Sequence, residues 1–415
     1  MVIATGSAIA QAIPVVLTPV LTRLYTPAEI GLLGLYTAFI SFATNATTLG
    51  YSQAIVSGRD DEEGADLAVI SSLIVLPMSL IGAAILLILV RGNWLGYGEL
   101  PIWTTIAMAV SLILSGLYFT LRYWLVRVGE YRVISTATVA QSVGRMATQI
   151  VTGLAGFGWL GLALGEVIGR ASGLGRMWRQ MSSSFTVAAS GITPSRIRIA
   201  AQRYWKFPAL TAPSSMLNSL ALVLPVPLIT MMFGVTDAGH FTIASRVMQL
   251  PVAFIGVSVG DVFHSKLAQV SREQPERAEG LLAKVSGSLF LIGIVPLLIV
   301  AFFGSSLFST ILGEEWAKAG SIASVLVPWV LFQFAVSPVS RVVQIYQGQE
   351  YKFLFDVAAI CGVLGSISLG GYRDWSLLVT CSLLGWTQAI VYGLYFTLLL
   401  RTVRKHKYIN FVHEP

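Results

Sequence analysis

Charge is what this chain has least of. Only 11% of its 415 residues are Asp, Glu, Lys or Arg, against about 25% in soluble domains. An ordinary water-exposed surface cannot be built from so few charges. Cysteine is limited to Cys361 and Cys381, both in apolar stretches. That placement suits small packing residues, not a disulfide or a metal pair. Four histidines are present, none in a metal-ligand spacing. Neither a metal nor a cofactor is expected.

What the chain has is apolar sequence. Hydrophobic residues make up 55% of it, and the mean hydropathy is +0.75. Length alone would suggest two or three soluble domains. Composition excludes that and indicates an all-α polytopic membrane protein with lipid as solvent for most of its surface. The net charge of +7, from 27 basic and 20 acidic residues, is no nucleic-acid footprint. A nucleic-acid binder clusters its cations on a wet face; here they sit at the ends of apolar runs and report membrane orientation. The apolar start, Met1 to Val20, is followed directly by another apolar run. It is read as a first transmembrane helix, not a cleaved signal.

A helix needs about 20 apolar residues to cross the hydrocarbon core. Runs of that size give twelve expected spans: 3–22, 28–50, 66–90, 101–126, 133–155, 157–175, 207–233, 238–260, 281–312, 319–346, 353–371 and 375–400. With a cytoplasmic N-terminus, 21 basic residues fall on the cytoplasmic side. Four (Arg23, Arg91, Lys318 and Arg373) fall outside, and Arg145 and Arg246 lie within spans. The positive-inside rule supports that orientation, with both termini cytoplasmic. No long loop remains on the outer side. The longest polar segment, 176–206, contains Ser182 to Ser184, the Thr193-Pro194 break, and a basic, aromatic stretch over 195–206. That stretch is expected as an interfacial helix and as a tether. The domains are thus a six-helix bundle over 1–175, a linker over 176–206, and a second six-helix bundle over 207–415 with a basic tail.

The two bundles form an internal repeat. A shift of 208 sets Pro19 on Pro227, Thr22 on Thr230, Tyr25 on Phe233, Glu29 on Asp237 and Gly31 on Gly239. A shift of 219 sets Arg122 on Arg341 and Gly129 on Gly348. Six spans per half give both halves one orientation. Parallel repeats of this kind favour a transporter working by alternating access.

The turn between the first two spans reads Pro19-Val20-Leu21-Thr22-Arg23-Leu24-Tyr25-Thr26-Pro27-Ala28-Glu29-Ile30-Gly31. Thr26 is a cap, Pro27 suits the first helical position, and Glu29 completes a capping box. This turn resembles the start of bacterial polysaccharide flippases. These are the lipid-linked oligosaccharide exporters (O-antigen-type, Wzx-like) of the multidrug/oligosaccharidyl-lipid/polysaccharide (MOP) superfamily. The run Gly129-Glu130-Tyr131-Arg132 is similar to the family's Gly-x-Glu-Tyr-Arg pattern. The resemblance implies a MATE-like fold of two pseudo-symmetric bundles and a monomer. It implies movement of an undecaprenyl-pyrophosphate-linked oligosaccharide from the inner to the outer leaflet of the bacterial cytoplasmic membrane, without covalent chemistry. Its partners would be membrane lipids and polysaccharide polymerase or assembly proteins. An ion-coupled multidrug exporter of the same superfamily, or an integral membrane glycan polymerase or ligase, are the alternatives. The acid-poor first spans weigh against the former. The absence of a large outer loop and of a catalytic carboxylate pair weighs against the latter.

Such a substrate needs cations and hydrogen-bonding groups at membrane depth. A charge at the bilayer centre costs about 2.5–3.5 kcal/mol on insertion scales, so it normally faces a wet interior or a partner. Arg246, in span eight, and Arg145, in span five, are the leading candidates; each serves either the substrate or a structural ion pair. Gln141 and Gln149 flank Arg145 at a spacing of four and share its face. Arg23 sits at the outer end of span one, where it contacts substrate or snorkels. Asn45, Asn218 and Gln249 bond sugar hydroxyls or neighbouring helices. Among the scarce intramembrane acids, Glu166, Asp261 and Asp356, Asp356 is the candidate for a coupling cation, H+ or Na+. Gly161, Gly165, Gly169 and Gly173 form a small-residue ridge suited to packing inside the first bundle. The run Asp60-Asp61-Glu62-Glu63 is expected to be a solvated turn.

Overall fold

The computed structural model describes residues 2–252, 256–346 and 348–412. Among the described residues every regular element is helical, as expected of a chain that must satisfy its backbone without water. The protein is a multi-pass membrane protein. Among the described residues eight helices are long and apolar enough to cross a bilayer, and a bent pair, Phe207–Leu220 with Pro225–Phe233, makes nine.

The first four helices are α1 (Val2–Leu24), α2 (Pro27–Ala43), α3 (Asp61–Arg91) and α4 (Thr104–Arg127). The turn between α1 and α2 has the expected capping box. The Thr26 N–H donates to Glu29 Oε2 at 2.9 Å, and Thr26 Oγ1 accepts the Glu29 N–H at 3.4 Å. Next come α5 (Tyr131–Leu154) and α6 (Trp159–Ala171). The glycine ridge of α6 packs along α5. A Cβ on Gly161, Gly165 or Gly169 would strike the side chain of Thr152, Gln149 or Arg145 respectively. Only hydrogens let the two backbones approach so closely.

The linker over 176–206 is largely helical. It folds as α7 (Leu174–Ala188) and α8 (Pro194–Arg203). Met177, Met181 and Ala188 of α7 are buried with Trp124, Leu125 and Ala200 in one apolar cluster. Trp124 Nε1 donates to Ser184 Oγ at 3.0 Å. Then follow α9 (Ala212–Val223), α10 (Pro225–Phe233), α11 (Val235–Met248) and α12 (Val257–Glu273). The last four are α13 (Ala278–Leu312), α14 (Ala317–Val336), α15 (Gln349–Tyr372) and α16 (Leu377–Val412).

Helices α1–α4 and α13–α16 supply the eight long spans. Expected spans five, six and eight fall on α5, α6 and α11, which are more polar or shorter. The helix α5 carries Gln141, Arg145 and Gln149. The helix α6 has 13 residues, and α11 has 14 and contains Arg246.

By packing, the chain divides into two compact units, Met1–Gly239 and His240–Pro415. This boundary differs from the expected bundles 1–175 and 207–415, because α9 and α10 pack with the first unit. The repeat describes chain order; packing describes which helices touch.

Candidate functional site

Five elements of the first unit converge on one cavity. Its volume is about 360 Å3. From α2 and the residues after it come Ile40, Ser41, Thr44 and Asn45; α4 supplies Ser115, Tyr118 and Phe119; α5 supplies Gln141 and Arg145. Arg170 of α6 and Ser219 of α9 complete the lining. Two guanidiniums therefore share a wall with four hydroxyl side chains of Ser and Thr, two amides and two aromatic rings.

A single carboxylate organises the cations. Glu166, almost wholly buried, places Oε1 3.3 Å from Arg145 Nε and Oε2 3.3 Å from Arg170 Nη2. Arg170 also donates from Nη1 to Ser115 Oγ at 3.0 Å. Gln141 Nε2 donates to the Arg170 carbonyl at 3.3 Å. One acid against two arginines leaves one net positive charge. Two lining residues keep a buried polar atom without a hydrogen-bond partner, Thr44 Oγ1 and Arg170 Nε, and Arg145 Nε has only its ion pair with Glu166. Such atoms are costly to leave unsatisfied, so the cavity is suited to a polar, anionic occupant.

Asn45 reaches from the end of α2 to α9. Its Nδ2 donates to Ser219 Oγ at 2.7 Å and to the Ser41 carbonyl at 2.9 Å. The structure thus brings together Asn45, Gln141 and Arg145 of the sequence candidates. Gln149 does not line the cavity. It is fully buried and donates from Nε2 to the Leu162 carbonyl at 3.2 Å, tying α5 to α6. Its own carbonyl accepts the Tyr25 hydroxyl at 2.6 Å. Arg23 is exposed at the end of α1, and Asn218 is exposed on α9.

The remaining candidates belong to the second unit. Arg246 is half-buried on α11. Gln249, at the end of α11, donates from Nε2 to Gln333 Oε1 of α14 at 3.0 Å. Asp356 is ion-paired with Lys352 one turn earlier on α15, so a coupling cation there would have to displace an ammonium. The side chain of Asp261 lies outside the described residues, as do those of Lys405 and Lys407 in the basic tail. Among the described residues no cluster of three His, Cys, Asp or Glu is placed to hold a metal.

Arg170 was legible only as one of the basic residues at the cytoplasmic end of a span. The signal for its second role is the i, i+4 spacing of Glu166 and Arg170 on one helix. The contributions of Ser115 and Ser219 carried no local signal.

A second polar cluster joins α8 to the start of α3, and it corrects the expectation of a purely solvated acidic turn. Asp61 and Glu62 are exposed, yet they pair with Arg127 at 2.9 Å and with Arg196 at 2.9 Å. Asp66, with only 5% of its side chain exposed, pairs with Arg196 at 3.1 Å, and Glu63 pairs with Arg203. The Tyr204 hydroxyl lies 3.1 Å from both the Ser57 carbonyl and Glu63 Oε2. Burial first, and then the Glu63 carboxylate, hold the Tyr204 phenol above its ordinary value. A cap of carboxylates at a helix N-terminus also suits the helix dipole.

This fold is shared with solved transporters of the MOP superfamily. The chain is similar to the lipid II flippase MurJ in an inward closed conformation, with a TM-score of 0.69 at 14% identity over 98% of this chain and 91% of that one. It is similar to an inward-facing multidrug resistance MATE transporter of the MOP superfamily, with a TM-score of 0.63 at 14% identity over 98% and 96%. A MOP superfamily transporter from Pyrococcus furiosus, described as having a binding pocket of reverse polarity, gives 0.61 at 14% identity over 98% and 95%. At such identities the likeness concerns the fold. No curated protein sequence matches the chain. Residues 20–321 match the family described as polysaccharide biosynthesis protein, and the chain belongs to that family.

Proposed function

We propose that the protein is a flippase. It carries undecaprenyl-pyrophosphate-linked oligosaccharide units from the inner to the outer leaflet of the bacterial cytoplasmic membrane by alternating access, with both termini cytoplasmic. The observation that carries this reading is the cavity where Arg145 and Arg170 flank Glu166 beside Asn45, Gln141 and four hydroxyls. Guanidiniums suit phosphoryl oxygens, because their planar fork donates two hydrogen bonds at once. Amides and hydroxyls suit sugar hydroxyls, and Tyr118 and Phe119 offer apolar faces to sugar rings. The family assignment supports a role in polysaccharide biosynthesis.

The cavity disfavours an exporter of organic cations. No acid lines it among the described residues, and Glu166, which pairs with its two arginines, is neutralised by them, so a cationic drug would meet net positive charge. Arg246 supplies a further anion contact in the second unit, and Asp356 remains the candidate for coupling to H+ or Na+. No covalent step is assigned.

The test is cellular. In a strain lacking the protein, lipid-linked repeat units accumulate on the inner leaflet. Wild-type protein restores export, and Arg170→Ala at equal expression does not. Normal export combined with raised drug sensitivity would overturn the reading.

A further inference from the structure

The helices α7 and α8 each have a docked side and an outward side. On α7, Met177 and Met181 face the apolar cluster, while Arg176, Trp178 and Arg179 are exposed. On α8, Arg196 and Arg203 face the acids of α3, and Ala200 is buried between them. Arg198 lies on the opposite face and is exposed, as are Trp205 and Lys206 just beyond the helix. Of the acids near this segment, Glu62, Glu63 and Asp66 are engaged by the inward arginines, Asp61 by Arg127 and Glu130 by Gln180. The outward side is left with four cations and two tryptophans, each tryptophan more than half exposed.

We propose that this outward side is a docking surface for the headgroups of anionic phospholipids. Connectivity places it at the membrane boundary. The helix α7 begins three residues after α6 ends, and α8 leads through the short helical segment Phe207–Thr211 into α9. Tryptophan favours the headgroup level, where one part of the ring is apolar and the other wet. Interleaved Lys and Arg favour an anionic leaflet. A soluble polyanion would satisfy the cations but not the tryptophans. Lipid on this surface also bears on the cavity, because α9 carries Ser219. The inference does not rest on what the protein transports.

Native mass spectrometry of the purified full chain in detergent tests it, using an equal mixture of phosphatidylglycerol and phosphatidylcholine. Wild-type protein retains phosphatidylglycerol preferentially, and raising ammonium acetate weakens the preference, since exposed charges are screened. Each cation removed by Arg176→Gln, Arg179→Gln, Arg198→Gln or Lys206→Gln lowers the preference about fivefold. Arginine-to-lysine variants at the same positions keep it. Arg91→Gln, a charge loss elsewhere, leaves it unchanged. Trp178→Ala with Trp205→Ala lowers retention of both lipids. Equal retention of the two lipids by wild-type protein would overturn the proposal, and so would an undiminished preference in the fourfold glutamine variant or an equal loss in Arg91→Gln.

Discussion

Gly31 and Gly239 pack against each other's turns. A Cβ on Gly31 would lie 2.0 Å from the Val235 carbonyl oxygen, and one on Gly239 would lie 1.8 Å from the Pro27 carbonyl oxygen. The same two residues coincide when the sequence is shifted by 208. The repeat-matched turns are therefore also neighbours, and each requires glycine because backbone occupies the space a side chain would fill.

Substitution there tests the close approach. Gly31→Ala and Gly239→Ala each lower stability by about 1–3 kcal/mol, the usual cost of overpacking. Gly287→Ala is the control, because its added Cβ meets nothing within 4 Å and a helix-interior alanine gains roughly 0.5–1 kcal/mol over glycine. Thermal midpoints in detergent read the difference; equal midpoints for all three variants would refute it.

The shared carboxylate of the cavity makes a second prediction. Glu166→Ala leaves Arg145 and Arg170 facing each other without compensation and costs about 3 kcal/mol, the low end for a broken buried pair, because both arginines border an open cavity. Adding Arg170→Met recovers much of the loss, since the repulsion disappears. Denaturant unfolding of the single and double variants checks this, and a double variant weaker than Glu166→Ala would contradict it.

Tyr204 adds a pH dependence at the junction of α8 and α3. Its folded-state pKa is raised above the ordinary 10.0, so the folded protein holds the phenolic proton more tightly than the unfolded chain. Its contribution to stability is full below pH 10 and falls as pH rises through the raised folded value. Tyr204→Phe removes this part of the alkaline loss. Stability measured from pH 9 upward on both proteins decides; parallel curves would rule it out.

Ser219 tests whether the cavity is used. Ser219→Phe fills the space beside Asn45 and abolishes transport. Ser219→Ala loses only the hydrogen bond from Asn45, about 0.5–1.5 kcal/mol, and keeps most transport. Export of lipid-linked glycan at matched expression compares them, and full activity of Ser219→Phe would exclude the cavity from the pathway.

Much of the fold was legible in sequence. The Thr26–Glu29 capping box and the packing role of the Gly161–Gly169 ridge follow from local spacing, and both have the expected form. Asn45, Gln141 and Arg145 were legible as polar residues in apolar surroundings, and they meet in one cavity. Gln149 shares their spacing but turns into the α5–α6 contact, because a helix face is wide enough to serve a cavity and a neighbour at once. The Asp60–Glu63 run read as solvated, since nothing local reveals arginines 66 to 140 residues away.

The sequence by itself determined the solvent, the family signature and the repeat. These follow from composition and local order, which no folding step can alter. Only the tertiary structure decided which polar residues share a space. Arg145, Glu166 and Arg170 lie on two helices whose contact is set by glycine packing, and Asn45 meets Ser219 across 174 positions of chain. A buried charge must find its partner wherever the helices bring one, and that pairing is a property of packing.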